Sequence, residues 1–259
     1  MDSLLSLRVL LLSTTVVFVW KALTPPHTSS TSERLPLTSL GRFAIAFVPL
    51  MKVHFQVRTP LNYRSLKFAL YQTLHALGCL FEIFMILSHC FHDIVVFRGV
   101  SLLVFPSQST CVDARAFNIR TPFLIGSILA ILGAQLRLSC YGQLGRLFTF
   151  EMAVRKDHEL ITTGPYAYVR HPAYSGLIMT LAGSIIIQCG TASWLQVHGF
   201  VAETVIKAYI TTLIVSTLLV SFSATRRGWS EDKVLQARFR DKWSKWAEQT
   251  PYRMVPFVY

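Results

Sequence analysis

Two short stretches hold the residues best suited to chemistry. The first runs Arg155-Lys156-Asp157-His158-Glu159-Leu160-Ile161-Thr162-Thr163-Gly164-Pro165-Tyr166-Ala167-Tyr168-Val169-Arg170-His171-Pro172-Ala173-Tyr174-Ser175-Gly176. Two histidines, three tyrosines and several charges lie there against an uncharged apolar run. Gly164-Pro165 and His171-Pro172 are turn signals. Irregular backbone at a membrane surface must find partners, in protein or around a polar ligand. Pro172 suits the first turn of a helix. A helix start presents N–H groups and a positive dipole end, which favour an anion such as a carboxylate. The second stretch is Arg226-Arg227-Gly228-Trp229-Ser230-Glu231-Asp232. Arg227 and Glu231 are four apart and share a face on a helix. An arginine so placed can grip a carboxylate in two-pronged fashion. The plain alternative is a surface ion pair among flanking basic residues.

The elements that position these stretches follow from composition. The chain has 259 residues, of which 52% are hydrophobic and only 15% charged. Mean hydropathy is +0.45. That excludes a disordered chain and argues against a soluble globule. Helical spans of ~17–25 apolar residues are the expected solution. Five stand out: Leu4–Trp20, Phe68–His89, Thr121–Tyr141, Ala173–Gly190 and Thr204–Thr225. A shorter stretch, Leu35–Val57, is broken by Arg42, Pro49 and Lys52 and reads as an interfacial helix, with a sixth span as the alternative. The end of the first span lacks the small residues of a cleavage site, so it reads as a retained anchor. The expected fold is an all-α integral membrane protein.

The net charge is +12. With five spans, nineteen of the 25 Lys and Arg residues fall on one side of the membrane and three on the other. That split predicts a cytosolic carboxy terminus and a site opening to the cytosol. Leu235, Phe239, Trp243 and Trp246 form an apolar face on a further helix, whose expected role is docking on the membrane surface, with a groove for a lipid tail as the alternative. Glu82 and His75 share a face within the second span, and Arg137 lies near the end of the third. An intramembrane carboxyl is a functional candidate, weighed against a hydrogen bond to a neighbouring helix. Arg137 either snorkels or reaches the cofactor site. The five cysteines show no metal-ligand spacing, and no metal is expected. Pairing of Cys90 with Cys111 is the minor alternative to free thiols.

The two stretches together carry a resemblance. His158-x-Leu160-x-Thr162-x-Gly164-x-Tyr166, then Arg170-His171-Pro172-x-Tyr174, then Arg227-x-x-x-Glu231 and a Phe239, Trp243, Pro251, Pro256-Phe257 tail are in order along the chain. This pattern resembles the isoprenylcysteine carboxyl methyltransferases, integral membrane enzymes of the endoplasmic reticulum. It covers about the last 120 residues and divides the chain into N-terminal helices, 1–121, and a catalytic region, 122–259. The resemblance implies that S-adenosylmethionine is bound at the cytosolic edge by His158, Glu159, Leu160, Ile161, Tyr166, His171, Pro172, Ala173, Tyr174 and Glu231. Arg227 would bind the prenylated C-terminal cysteine of a protein, with Arg227 and Glu231 as the catalytic pair. Glu151 stands where animal members resemble Gln. The carboxylate to be methylated is already ionised at neutral pH, so the lack of a Ser/His/Asp or Cys/His set is no objection. No nucleic-acid partner is implied. A membrane sterol reductase using NADPH and a phospholipid methyltransferase share the Arg-His-Pro-x-Tyr element and stay as alternatives. So does a non-catalytic scaffold.

Overall fold

A computed structural model describes residues 3–24, 26, 63–91, 118–148, 159–190 and 203–257. Its helices are α1 (Ser3–Leu23), α2 (Tyr63–Cys90), α3 (Thr121–Leu144), α4 (Pro172–Cys189), α5 (Glu203–Phe239) and α6 (Asp241–Gln249). Short 3-10 turns occupy Gly145–Leu147 and Gly164–Ala167. No strand occurs among the described residues. The helices α1 to α5 are each long and apolar enough to cross a membrane. The expected all-α membrane architecture is therefore observed, with the five spans where the sequence placed them. The stretch Leu35–Val57, expected as an interfacial helix, and Cys111 lie outside the described residues. Cys79, Cys90, Cys140 and Cys189 are free thiols.

Between α3 and α4 the backbones nearly touch. A Cβ on Gly133 would lie 2.6 Å from the Thr180 amide nitrogen, and one on Gly176 2.6 Å from the Gly133 carbonyl oxygen. Lipid supplies no hydrophobic drive for helices to associate, so small residues that permit close packing do that work. Any side chain added at these two positions forces the helices apart. Gly133→Leu is expected to lower thermal stability in detergent by about 1–3 kcal/mol or more through overpacking. Gly142, whose Cβ would meet nothing within 4 Å, is the matched control and should tolerate Ala.

α1 is fastened to its neighbours at both ends by arginines. Arg8 donates Nε–H to Glu82 Oε1 at 2.7 Å, and its Nη2 is also 2.7 Å from that oxygen. Nη1–H goes to the Asn118 carbonyl at 3.0 Å. Glu82 therefore meets a neighbouring helix, as one reading of the sequence held, but through an ion pair rather than a neutral hydrogen bond. His75 belongs to a separate polar cluster, beside Cys79 and with its carbonyl accepting from Gln188. At the other end of α1, Arg137 is buried and donates to the carbonyls of Ala22 and Ala173, each at 2.8 Å. Tyr141 also donates its hydroxyl to Ala22. Arg137 thus does not snorkel; it ties α1, α3 and α4 together.

The fifth span is longer than its apolar stretch. α5 continues without a break from Glu203 to Phe239, some 55 Å at ~1.5 Å per residue, against a hydrocarbon core of ~30 Å. Val215, Leu218, Leu219 and Phe222 are exposed, as a lipid-facing surface would be. The chain then turns at Arg240, at φ 44°, and α6 folds back. Here the structure corrects the sequence reading. Trp243 and Trp246 do not dock on a membrane. They are buried in a cluster with Cys140, Phe148, Tyr166 and Ala173, and Leu235 and Phe239 pack against it.

Candidate active site

The site assembles where the start of α4 meets the extension of α5. Arg227, Gly228, Glu231 and Asp232 fall on one face of α5 by helical spacing, and that face meets His171 and Tyr174. Glu231 is the hub. Its Oε1 accepts from Tyr174 Oη at 2.7 Å and from Arg227 Nε at 2.9 Å. Arg227 and Glu231 are about three-quarters buried, with 21% and 27% of their side-chain surface exposed. The Arg227 guanidinium lies 5.9 Å from the centre of the Tyr174 ring.

His171 caps α4 in position only, since its side chain bonds elsewhere. Its Nε2 is 2.9 Å from Asp232 Oδ1. An ionised carboxylate only accepts, so Nε2 carries the proton. Nδ1 then faces Glu231 Oε2 at 3.6 Å, beyond hydrogen-bond range. Asp232 is also held by Arg253 Nε at 3.0 Å and lies 3.7 Å from Arg170. Asp232 stands beyond the apolar part of α5. Burial alone would raise its carboxyl, but the hydrogen bond and charge of His171, with the Arg170 and Arg253 guanidiniums, hold it below the ordinary aspartate value.

Residues 251–254 clamp this arrangement. The Arg170 N–H donates to the Tyr252 carbonyl at 2.9 Å and the His171 N–H to that of Arg253 at 2.7 Å. Ser175 Oγ donates to the Met254 carbonyl at 2.5 Å. Gly228 makes room: a Cβ there would meet the Met254 methyl at 2.9 Å and the His171 ring at 3.2 Å. The helix start is less open to an anion than its position suggested. The Tyr174 and Ser175 N–H groups both turn back to the His171 carbonyl, at 3.0 and 3.3 Å.

An aromatic cluster accompanies the polar one. Gly164, at φ 62°, starts the turn that delivers Tyr166. The positive φ is what favours glycine here; a Cβ would also sit 2.8 Å from Gln143 Nε2, the movable end of a flexible side chain. The Tyr166 carbonyl accepts from Trp246 Nε1 at 3.2 Å. Burial is the main reason its phenol is pushed well above the ordinary value, and nearby Cys140 and Glu231 add to the shift.

Of the residues proposed from sequence, Tyr166 and Ala173 share the aromatic cluster, with Leu160 and Ile161 packed against it. His171, Tyr174, Arg227 and Glu231 form the polar network, and Pro172 is buried beside them. Glu159 is exposed. His158 and Glu151 lie outside the described residues. Sequence reasoning missed Asp232, Arg253, Gly228 and the inward face of α6. Asp232 stood in view next to Glu231, but its partner is 61 positions away and no local spacing marks it.

Residues 126–202 match the model of the isoprenylcysteine carboxyl methyltransferase (ICMT) family. Over 153 residues the chain is 30% identical to the protein-S-isoprenylcysteine O-methyltransferase of Schizosaccharomyces pombe, covering 57% of each protein. It is 36% identical over 70 residues to protein-S-isoprenylcysteine O-methyltransferase B of Arabidopsis thaliana, which is 26% of this chain and 36% of that one. A delta(14)-sterol reductase of Mus musculus is 32% identical over 102 residues, 39% of this chain and 20% of the reductase. The chain thus spans less than two thirds of the length of each of these relatives. The family match falls on α3, α4 and the turn between them, and the similarity to the two methyltransferases is to part of each protein.

Proposed function

We propose that this chain moves a methyl group from S-adenosylmethionine to the α-carboxylate of a prenylated cysteine at the end of a protein. We place the reaction at the cytosolic face of the endoplasmic reticulum membrane. The observation that carries this reading is the largely buried Arg227–Glu231 pair. It stands on the membrane-rooted helix α5 and is joined by Tyr174 to the start of α4.

The donor set fits the cofactor. Glu231 offers a carboxylate for an ammonium group, and Tyr166 and Tyr174 offer aromatic rings, which favour a sulfonium. His158, Glu159, Leu160, Ile161, His171, Pro172 and Ala173 are assigned to cofactor binding by the resemblance, and Glu151 to the position where animal members resemble Gln. When bound, the cofactor supplies the activated methyl group. The protein's part is orientation and exclusion of water. Tyr174 Oη–H and Arg227 Nε–H fix Glu231 Oε1 between them. Arg227 is the guanidinium we assign to the substrate, because its planar shape matches a carboxylate. Holding two reactants in line is worth up to ~7–11 kcal/mol in favourable cases.

A sterol reductase is the second reading, favoured by the similarity to the mouse reductase. One assay separates them: membranes carrying the chain, labelled S-adenosylmethionine, and a farnesylated cysteine analogue against phospholipid. Label is expected on the farnesylated analogue alone. NADPH-dependent sterol turnover with no methyl transfer would replace the first reading by the second.

A further inference from the structure

We propose that Trp243 is a cofactor-binding residue, its indole N–H donating to an acceptor on the nucleoside part of the cofactor. The inference rests on the S-adenosylmethionine reading above and extends it to α6. Trp243 is 9% exposed, yet its Nε1 has no hydrogen-bond partner. The contrast with Trp246, one turn away on the same helix, is the argument. The Trp246 N–H is satisfied by the Tyr166 carbonyl at 3.2 Å. Both rings lie in one cluster with Cys140, Phe148, Tyr166 and Ala173. Two of those, Tyr166 and Ala173, are assigned to the cofactor surface.

A buried donor without an acceptor carries the full cost of losing its water, and such groups in native proteins call for an explanation. Water is a poor candidate to satisfy it. A buried water needs two to four polar partners, and the cluster that holds Trp243 is mostly apolar, the Arg170 guanidinium lying over the ring 5.7 Å from its centre. A flat purine with ring nitrogens suits this setting: apolar faces against aromatic walls, with an acceptor at the edge. The other end of the cofactor is served by the separate polar cluster at Glu231, Arg227 and Tyr174, so the two clusters divide the ligand between them.

The test is binding, on the purified full chain in nanodiscs. Trp243→Phe keeps an aromatic ring and removes the N–H. A second variant, with the benzothiophene isostere at 243, replaces the N–H by sulfur with almost no change of shape. Affinity for S-adenosylhomocysteine should fall ~3–10-fold in both, the range for one neutral hydrogen bond. Affinity for 5′-methylthioadenosine, which lacks the amino-acid part, should fall by the same factor. The melting temperature without ligand should hold or rise, because an unpaired buried donor has been removed. Trp246→Phe should lower that melting temperature, because it strands the Tyr166 carbonyl. Unchanged affinity in the isostere overturns the proposal. A loss for S-adenosylhomocysteine but not for 5′-methylthioadenosine overturns the nucleoside assignment. A lower ligand-free melting temperature in the isostere makes Trp243 structural and also overturns it. Absence of any binding by the unmodified chain overturns the cofactor reading itself, a result distinct from the other three.

Discussion

Arg227→Ala should reduce methyl transfer at least ~100-fold while the protein still folds in membranes. The size follows from the group removed. Truncating one partner of a desolvated, hydrogen-bonded charge pair costs about 2–5 kcal/mol, and each 1.4 kcal/mol is tenfold. Arg227 keeps 21% of its side chain exposed, so the middle of that range, about 3 kcal/mol and a little over 100-fold, is the expectation. Arg227→Lys is the sharper variant. It preserves the charge, and a lysine can still approach Glu231, but it cannot offer a planar fork to a carboxylate. We expect Lys to recover folding and only a small part of the activity. The measurement is transfer of labelled methyl to a farnesylated cysteine analogue, with affinity for S-adenosylhomocysteine measured in parallel. Loss of transfer with near-normal cofactor affinity supports a substrate clamp. Full activity in Arg227→Ala would end that role.

The second large effect concerns Arg8 and Glu82, whose side chains are 1% and 2% exposed. Replacing either one alone by Leu leaves a lone charge inside the bundle and should cost about 3–5 kcal/mol. Replacing both by apolar residues of similar volume should cost far less, and is expected to be close to neutral, because the desolvation penalty of two ions disappears with their attraction. Folded yield and melting temperature of the two single variants and the double variant decide this. A double variant as unstable as the singles would show that the Arg8 contacts to Asn118 and the Phe123 ring, rather than the ion pair, hold α1 in place.

The five spans were legible because lipid and protein interior ask for the same thing, an unbroken apolar helix of bilayer length. The same equivalence explains the misreading of α6. An apolar stripe at helical spacing states that one face avoids water, and cannot state whether lipid or protein covers it. For Trp243 and Trp246 the cover is Tyr166 and its neighbours. The continuation of α5 past Thr225 was hidden by Arg226 and Arg227, which read as the end of a span. A membrane boundary is a change of solvent and not of backbone, and a lone Gly228 is too weak a breaker to stop a long helix. Arg8 and Glu82 were visible as charges in spans, yet their pairing joins positions 74 apart. The Arg227–Glu231 pair was legible because both partners lie on one helix. The grip of residues 251–254 on Arg170 and His171 was not, since it is made chiefly by backbone groups.

The length of α5 has one more consequence. Arg227 and Glu231 ride on a rod rooted in the bilayer, about two and six residues beyond the last apolar turn, or some 3 and 9 Å at ~1.5 Å per residue. Their height above the hydrocarbon is therefore coupled to membrane thickness, which varies by several ångströms between sterol-poor and sterol-rich bilayers. A thicker membrane draws the pair down among the lipid headgroups, and a thinner one lifts it toward water. In the proposed reaction, lipid composition would then set how dry the carboxylate held by Arg227 is, with no change in the protein's own structure.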